Sequence, residues 1–281
     1  DDIRRALEAG GRQGAEFAVT LATIEIVVQV LSITGVGNKF AFMVETLSRD
    51  LCLLGVAPGG GCSYWLGIDS FFMALLLTAV ACAILGMGMP TTAAYVLLAV
   101  LGGPVLVKLI GPELTHIYGP EWVKGFVAAK GDKVAAHMFI FYYAILSAVT
   151  PPVAIASLVG ARLAGAPYFK TAMMSIRFAI AGFVVPFLFV YEPSLLLFDH
   201  PLRVVFSSIM AVVAFTAFSA GAQGWLLSPL RFYERILMFL SFAAICLFMV
   251  YFTALWAAAG LVFAGIPFLR QFWLRKRESP A

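Results

Sequence analysis

Residues 71–107, FFMALLLTAVACAILGMGMPTTAAYVLLAVLGGPVLV, form an apolar run of 37 residues broken at its centre by Gly86-Met87-Gly88-Met89-Pro90-Thr91-Thr92. A bilayer core about 30 Å thick is crossed by roughly 20 helical residues. The run is too long for one span, and each half is short for a full one. Backbone that leaves helical form at membrane depth needs protein or a wet cavity to satisfy its polar groups. The run therefore predicts a re-entrant helical hairpin, 71–110, whose tip lies inside the membrane and holds something small and polar. That points to a transporter.

Composition agrees with a membrane setting. The chain is 62% hydrophobic and 12% charged, where soluble domains carry about 25% charged residues. Its apolar runs exceed a dozen residues and lack strict alternation, which excludes a barrel and predicts an all-α integral membrane protein in the lipid bilayer. A net charge of +4 gives no reason to expect nucleic acid. The chain opens DDIRRALEAGGRQGAE, without a signal-like start, and its first 13 residues read as an amphipathic lead-in or a loop from something longer. Cys82 and Cys246 fall in apolar helices as packing residues. Cys52 and Cys62 flank LLGVAPGGG, where a disulfide and two free thiols fit equally well. No Cys/His spacing suits zinc.

Along the chain, 1–70 holds a first span (14–36), a short segment (37–50) and a Gly/Pro loop (55–67). Residues 71–198 form the transport-type repeat. It contains the hairpin, a polar stretch at 111–133 that reads as a solvent loop, a broken helix at 134–166 and a span at 173–191. The remainder, 199–281, holds a span at 203–222, an apolar stretch at 236–273 that is two short spans or an intramembrane pair, and a basic tail. Counting basic residues puts Arg4, Arg5, Arg12, Arg162, Lys170, Arg231, Arg235 and the tail in the cytoplasm. The C-terminus is then cytoplasmic, and 37–70, 111–133 and 192–202 face outward.

Two breaks carry the chemistry. In GMGMPTT, Gly86 and Gly88 permit unusual backbone angles, Pro90 stops helical bonding, and Thr91 and Thr92 add hydroxyl oxygens. The second break, Ser147-Ala148-Val149-Thr150-Pro151-Pro152, offers Ser147, Thr150 and two prolines. Freed carbonyls and hydroxyls suit a hard cation, and brought together the two breaks make an all-oxygen cage fit for Na⁺ as a coupling ion, with no other cofactor. Taken singly, each is also read as a kink of the kind common in membrane helices. Glu25, one turn from Gln29, is either a substrate or proton contact or a structural pairing between helices. Arg177 either snorkels to the cytoplasmic face or contacts an anion. His137 reads as an interfacial residue. The runs Phe139-Phe141-Tyr142-Tyr143 and Phe187-Phe189-Tyr191 read as packing and interface anchors. Two competitors to transport remain in view. An intramembrane enzyme using Glu25 and His137 lacks any H-E-x-x-H, Ser/Lys or paired-Asp signature, and a non-transporting membrane scaffold leaves the paired breaks without a purpose.

The strings LGMGMPTTAAYVLLAVLGGPVLV, AAHMFIFYYAILSAVTPPVAIAS and FAIAGFVVPFLFVYEPSLLL resemble the large membrane subunit of the tripartite ATP-independent periplasmic (TRAP) transporters. They are most similar to the fused permeases that work with TAXI-type binding proteins. The resemblance is strong over 71–198, extends over 1–50, and fades beyond about 200. It implies an elevator-type secondary transporter of the bacterial inner membrane, built from two inverted repeats that each have a hairpin and a discontinuous helix. It also implies a periplasmic solute-binding protein as partner, a small organic anion as substrate, and Na⁺ as driving ion. Gly86 to Thr92 match the tip of the second hairpin and Ser147 to Pro152 the break of its partner helix. Related subunits often carry an acidic residue before the paired threonines, where this chain has Pro90. One hairpin and one broken helix are visible where the family has two of each. The chain is thus expected to be the C-terminal portion of a permease, with the first inverted repeat and small-subunit helices as further partners.

Overall fold

The computed structural model describes residues 2–36, 39–40, 42–44, 46–47, 70–251 and 254–278. Among these residues the regular structure is helical, with one isolated bridge between Trp225 and Pro229. The helices are α1 (Asp2–Thr34), α2 (Ser70–Gly86), α3 (Thr91–Tyr118), α4 (Pro120–Ala128), α5 (Gly131–Leu146), α6 (Ile155–Leu163), α7 (Tyr168–Ala179), α8 (Val185–Tyr191), α9 (Pro201–Gln223), α10 (Phe232–Tyr251) and α11 (Ala254–Glu278). Three single 3₁₀ turns sit at Ser147–Val149, Ile180–Phe183 and Pro193–Leu196. Five helical stretches among the described residues are long and apolar enough to cross a membrane: Thr91–Tyr118, Gly131–Val149, Tyr168–Tyr191, Pro201–Gln223 and Phe232–Met249. The protein is an all-α integral membrane protein.

Several sequence expectations change here. The opening residues are not a loop: α1 is continuous from Asp2, because Gly10, Gly11 and Gly14 lower helix propensity by only about 1 kcal/mol each without blocking a hydrogen bond. The stretch 111–133 is not a solvent loop. It holds the end of α3, all of α4 and the start of α5. Pro112 and Pro104 lie inside α3, as buried neighbours allow in membrane helices, and Pro120 takes the first-turn position of α4 where its missing N–H costs nothing. The second hairpin arm is therefore long rather than short: α2 has 17 residues and α3 has 28. The stretch 236–273 resolves into two long helices, α10 and α11, rather than short ones. Cys52, Cys62 and the Gly/Pro loop lie outside the described residues.

Two larger apolar cores organise the packing, beside a small cluster of Val44, Ala74 and Val105. The first joins α2, α3, α4, α5 and α8 through Leu75, Leu98, Leu106, Ile110, Phe139 and Ile140, each at most 1% exposed. Phe139 and Tyr143 both stand edge-on to Phe187, and the Tyr143 hydroxyl donates to the Phe183 carbonyl at 2.6 Å. These aromatics pack as the sequence suggests. The second core sets Leu188 of α8 against Met210, Ala211 and Ala214 of α9 and Ile245, Phe248 and Met249 of α10. The α9–α10 turn is bolted to α11 by Gln271, whose Oε1 accepts the N–H groups of Leu227 (2.9 Å) and Ser228 (3.1 Å). Glu234 is paired with Arg270 on the same side and also accepts the Arg231 N–H at 2.7 Å.

Candidate functional site: the crossing of hairpin tip and helix break

The tip is a four-residue turn between α2 and α3. Gly88 holds it at φ +84°, a left-handed angle that costs an ordinary residue strain. Pro90 then ends the turn in extended backbone, and Thr91 and Thr92 open α3 with exposed side chains. Pro90 carries no capping hydroxyl, so no N-cap side chain meets the first N–H groups of α3.

The break lies between α5 and α6. After the 3₁₀ turn Ser147–Val149 the chain extends at Thr150, and the Pro151–Pro152 peptide is cis. Ala154, fully buried, takes φ +32°. A left-handed alanine costs about 1–3 kcal/mol, and such angles persist where surrounding structure enforces them. Thr150 donates to the Leu146 carbonyl at 2.7 Å, which leaves its oxygen lone pairs unused. The Pro152 carbonyl is held by the Tyr168 hydroxyl at 2.6 Å, so α7 braces the break from behind.

Tip and break touch. The Ser147 hydroxyl, 2% exposed, has the Ala144 carbonyl at 2.7 Å and the Gly86 carbonyl at 3.1 Å, and its single proton is shared between them. A Cβ on Gly86 would sit 2.8 Å from Ser147 Oγ and 3.0 Å from Ser147 Cβ, so only glycine allows this approach. Gly88 lies against Val153 on the other side of the break. Of the sequence-predicted oxygen donors, the structure joins Gly86 to Ser147 directly. It places Gly88 beside the break, Thr150 three residues on from Ser147, and Thr91 and Thr92 at the exposed start of α3. Pro90, Pro151 and Pro152 interrupt helical bonding as expected. Electrostatically, the crossing brings the carbonyl ends of α2 and α5 together, which favours a cation, while the N–H ends of α3 and α6 flank it.

Glu25 and Arg177 sit elsewhere. Glu25 accepts a hydrogen bond from Gln29 at 3.0 Å within α1. Arg177 donates to the Gln223 carbonyl at 2.9 Å, the last residue of α9. Arg235 caps the same helix end through the Gly221 (2.9 Å) and Ala222 (3.3 Å) carbonyls. Among the described residues no group of three or more His, Cys, Asp or Glu is gathered as a metal-binding set.

Two polar clusters escape the sequence reading. Glu192, 1% exposed, accepts from the Tyr118 hydroxyl (2.8 Å), from Ser207 (3.3 Å) and from Ser194. Arg203 lies 3.5 Å from that carboxylate, 3.1 Å from Asp199 and 4.9 Å from the centre of the Tyr118 ring. The signal was an acid within the apolar run FVYEPSLLL, followed by an arginine at the start of the next span. The other is Tyr95, whose hydroxyl lies 3.0 Å from His137 Nδ1. His137, read from the sequence as an interfacial residue, thus has a tyrosine partner on α3.

A family model described as tripartite ATP-independent periplasmic transporter, DctM component, matches residues 1–199. No curated protein and no solved structure matches the chain.

Proposed function

Because this chain belongs to the DctM component family of the tripartite ATP-independent periplasmic transporters, and is therefore a TRAP transporter permease component, we propose that it couples Na⁺ to the import of a small organic anion. The observation that carries the coupling is the contact of the two breaks, in which Ser147 reaches the Gly86 carbonyl across 61 positions of sequence. Oxygens from both breaks meet there with no side-chain acid among them, a donor set suited to a monovalent hard cation. In this reading Na⁺ draws on Gly86, Gly88, Thr91, Thr92, Ser147 and Thr150. Its binding orders tip and break together, and the ordered tip completes the site for the anion. A ligand shifts such an equilibrium only by its differential affinity for the two states, so the cation must bind the ordered crossing more tightly.

The reading places the protein in the bacterial inner membrane with its C-terminus in the cytoplasm. A soluble binding protein delivers the anion from outside, and a first inverted repeat and small-subunit helices complete the permease. Membership in a transporter family and the absence of a hydrolytic signature in the sequence favour transport over catalysis.

The test is ²²Na⁺ binding to the full-length permease in nanodiscs, paired with proteoliposome uptake of ¹⁴C-labelled succinate, pyruvate and glutamate in the presence of the binding protein. Thr92→Ala and Thr150→Ala are expected to raise the half-saturating Na⁺ concentration by about tenfold each, the cost of one oxygen ligand at about 1.4 kcal/mol. Uptake that ignores Na⁺, or Na⁺ binding unchanged in both variants, sinks the coupling site and leaves the breaks as structural kinks.

A further inference from the structure

Two arginines meet one helix end. The last turn of α9 presents three consecutive carbonyls. Arg235 donates to those of Gly221 (2.9 Å) and Ala222 (3.3 Å), and Arg177 donates to that of Gln223 (2.9 Å). The two guanidiniums are thus held side by side, and neither is paired with a carboxylate among the described residues. From Lys133 to Arg277 the acids are Glu192, Asp199 and Glu234. Glu192 and Asp199 serve Arg203 at the opposite end of α9, about 30 Å away along its 23 residues. Glu234 is taken by Arg270 and by the Arg231 N–H. The helix end itself sets only about half a negative charge against two full positive ones. The frame around them is fixed. Gln271 accepts the Leu227 and Ser228 N–H groups and donates to the Ser228 carbonyl at 3.3 Å, and the Leu230 N–H reaches the Gly224 carbonyl at 2.9 Å.

We infer that Arg177 and Arg235 bind the phosphodiester headgroup of an anionic phospholipid where α7, α9 and α10 meet. Arg235 spends two of its five N–H groups on the carbonyls and Arg177 spends one, so both keep donors for phosphate oxygens. A planar guanidinium matches a phosphate through paired N–H groups, and the carbonyls hold both planes in place beforehand. The level of the site selects a lipid over a soluble anion. Gln223 closes one apolar stretch long enough to cross a membrane and Phe232 opens the next, so the turn between them stands at a bilayer face. Trp225 and Tyr233 flank that turn, and these residue types settle at headgroup level. At that level lipid phosphate is far more concentrated than any free phosphate. A headgroup bound there ties α7, whose Tyr168 holds the Pro152 carbonyl of the break, to helices beyond residue 199, where the family match ends. The site rests on the membrane setting alone and is independent of Na⁺ coupling.

The experiment is native mass spectrometry of the full-length permease, delipidated in detergent and titrated with dioleoyl phosphatidylglycerol or, separately, with dioleoyl phosphatidylcholine. Wild type is expected to bind its first phosphatidylglycerol about tenfold or more tightly than phosphatidylcholine, because each arginine beside an anionic lipid is worth about fivefold. Arg177→Gln and Arg235→Gln keep an amide donor for the α9 carbonyls and lose the charge. Each is expected to weaken the first phosphatidylglycerol about fivefold and to leave phosphatidylcholine unchanged. Lys170→Gln removes the same charge about two turns away on α7 and is expected to leave the preference intact. If Arg235→Gln does not fold, Arg177→Gln carries the test alone, since it gives up a single carbonyl contact. A wild type without the preference, or glutamine variants that retain it, overturns the proposal and means that an acid of a protein partner answers the arginines. A loss in Lys170→Gln equal to that in the arginine variants means a diffuse surface field and overturns it too. So does complete displacement of phosphatidylglycerol by millimolar inorganic phosphate, which means a site for a free anion.

Discussion

At the crossing of tip and break, the polar groups are hydroxyls and backbone freed from helices, with no charge among them, and some of their capacity is unspent. At the Glu192 cluster the polar groups are full charges, and nearly every one is answered: two tyrosine or serine bonds, a third hydroxyl, and a guanidinium between two carboxylates. Both lie where apolar helices meet. The difference lies in how well each can change. A buried ion pair that loses a partner leaves a charge behind, so the cluster holds one arrangement of α3, α8 and α9. Hydroxyls and carbonyls tolerate exchange of one partner for another, so the crossing can trade a protein contact for an ion.

Breaking the charged region should have the largest effect. Arg203 has 23% of its side chain exposed and sits over Glu192 at 1%. Arg203→Leu leaves Glu192 and Asp199 without a cation, and the expected loss is about 3–5 kcal/mol of stability. In detergent this appears as a lowered apparent melting midpoint and poor recovery of monodisperse protein. Adding Glu192→Gln should recover part of the loss, because an amide can be satisfied by Tyr118 and Ser207 without a counter-charge. If Arg203→Leu melts with wild type, the region is not held by charge and the contrast fails.

The crossing should be more forgiving of charge and less forgiving of volume. Gly86→Ala drives a methyl into Ser147, whose Cβ cannot swing away. The expected cost is about 1–3 kcal/mol for a forced shift of packed helices. Ser147→Gly in the same chain removes both clashing atoms, so the double variant should be better than the sum of the singles. Additive losses would mean that tip and break are not in direct contact.

The two regions also differ in how legible they were. Gly86-Met87-Gly88 and Thr150-Pro151-Pro152 announce themselves because glycine and proline act on their own backbone, and a local cause leaves a local mark. The same rule misled at Pro112 and Pro120, where it suggested a solvent loop. Helix neighbours and a first-turn position absorb those prolines, which no local pattern reveals. Glu192 and Arg203 are 11 positions apart and meet Tyr118, over 70 positions away. Tyr95 and His137 are 42 apart. Nothing in either residue's surroundings in sequence names its partner, so these pairings are tertiary facts. Glu25 and Gln29 are the opposite case: a four-residue spacing put them on one helix face, and there they bond.

Arg177 sharpens the comparison most finely, since it is a charge used as a cap rather than as an ion-pair partner. Its guanidinium reaches the Gln223 carbonyl, where α9 ends with a left-handed Gly224, and Arg235 already serves the two carbonyls before it. A cation at a helix C-terminus contributes about 0.3–1 kcal/mol when exposed, and a second cation nearby shares the task. Arg177→Leu should therefore lower the melting midpoint by a degree or two at most, and by more in an Arg235→Leu background than alone. A purely snorkelling side chain would give no shift in either background. An anion contact would instead spare the melting midpoint and raise the anion concentration needed for half-maximal uptake. The cap predicts the first pattern because the carbonyls of α9 need a donor from one arginine or the other, and removing both leaves that end of the helix to water it does not fully reach.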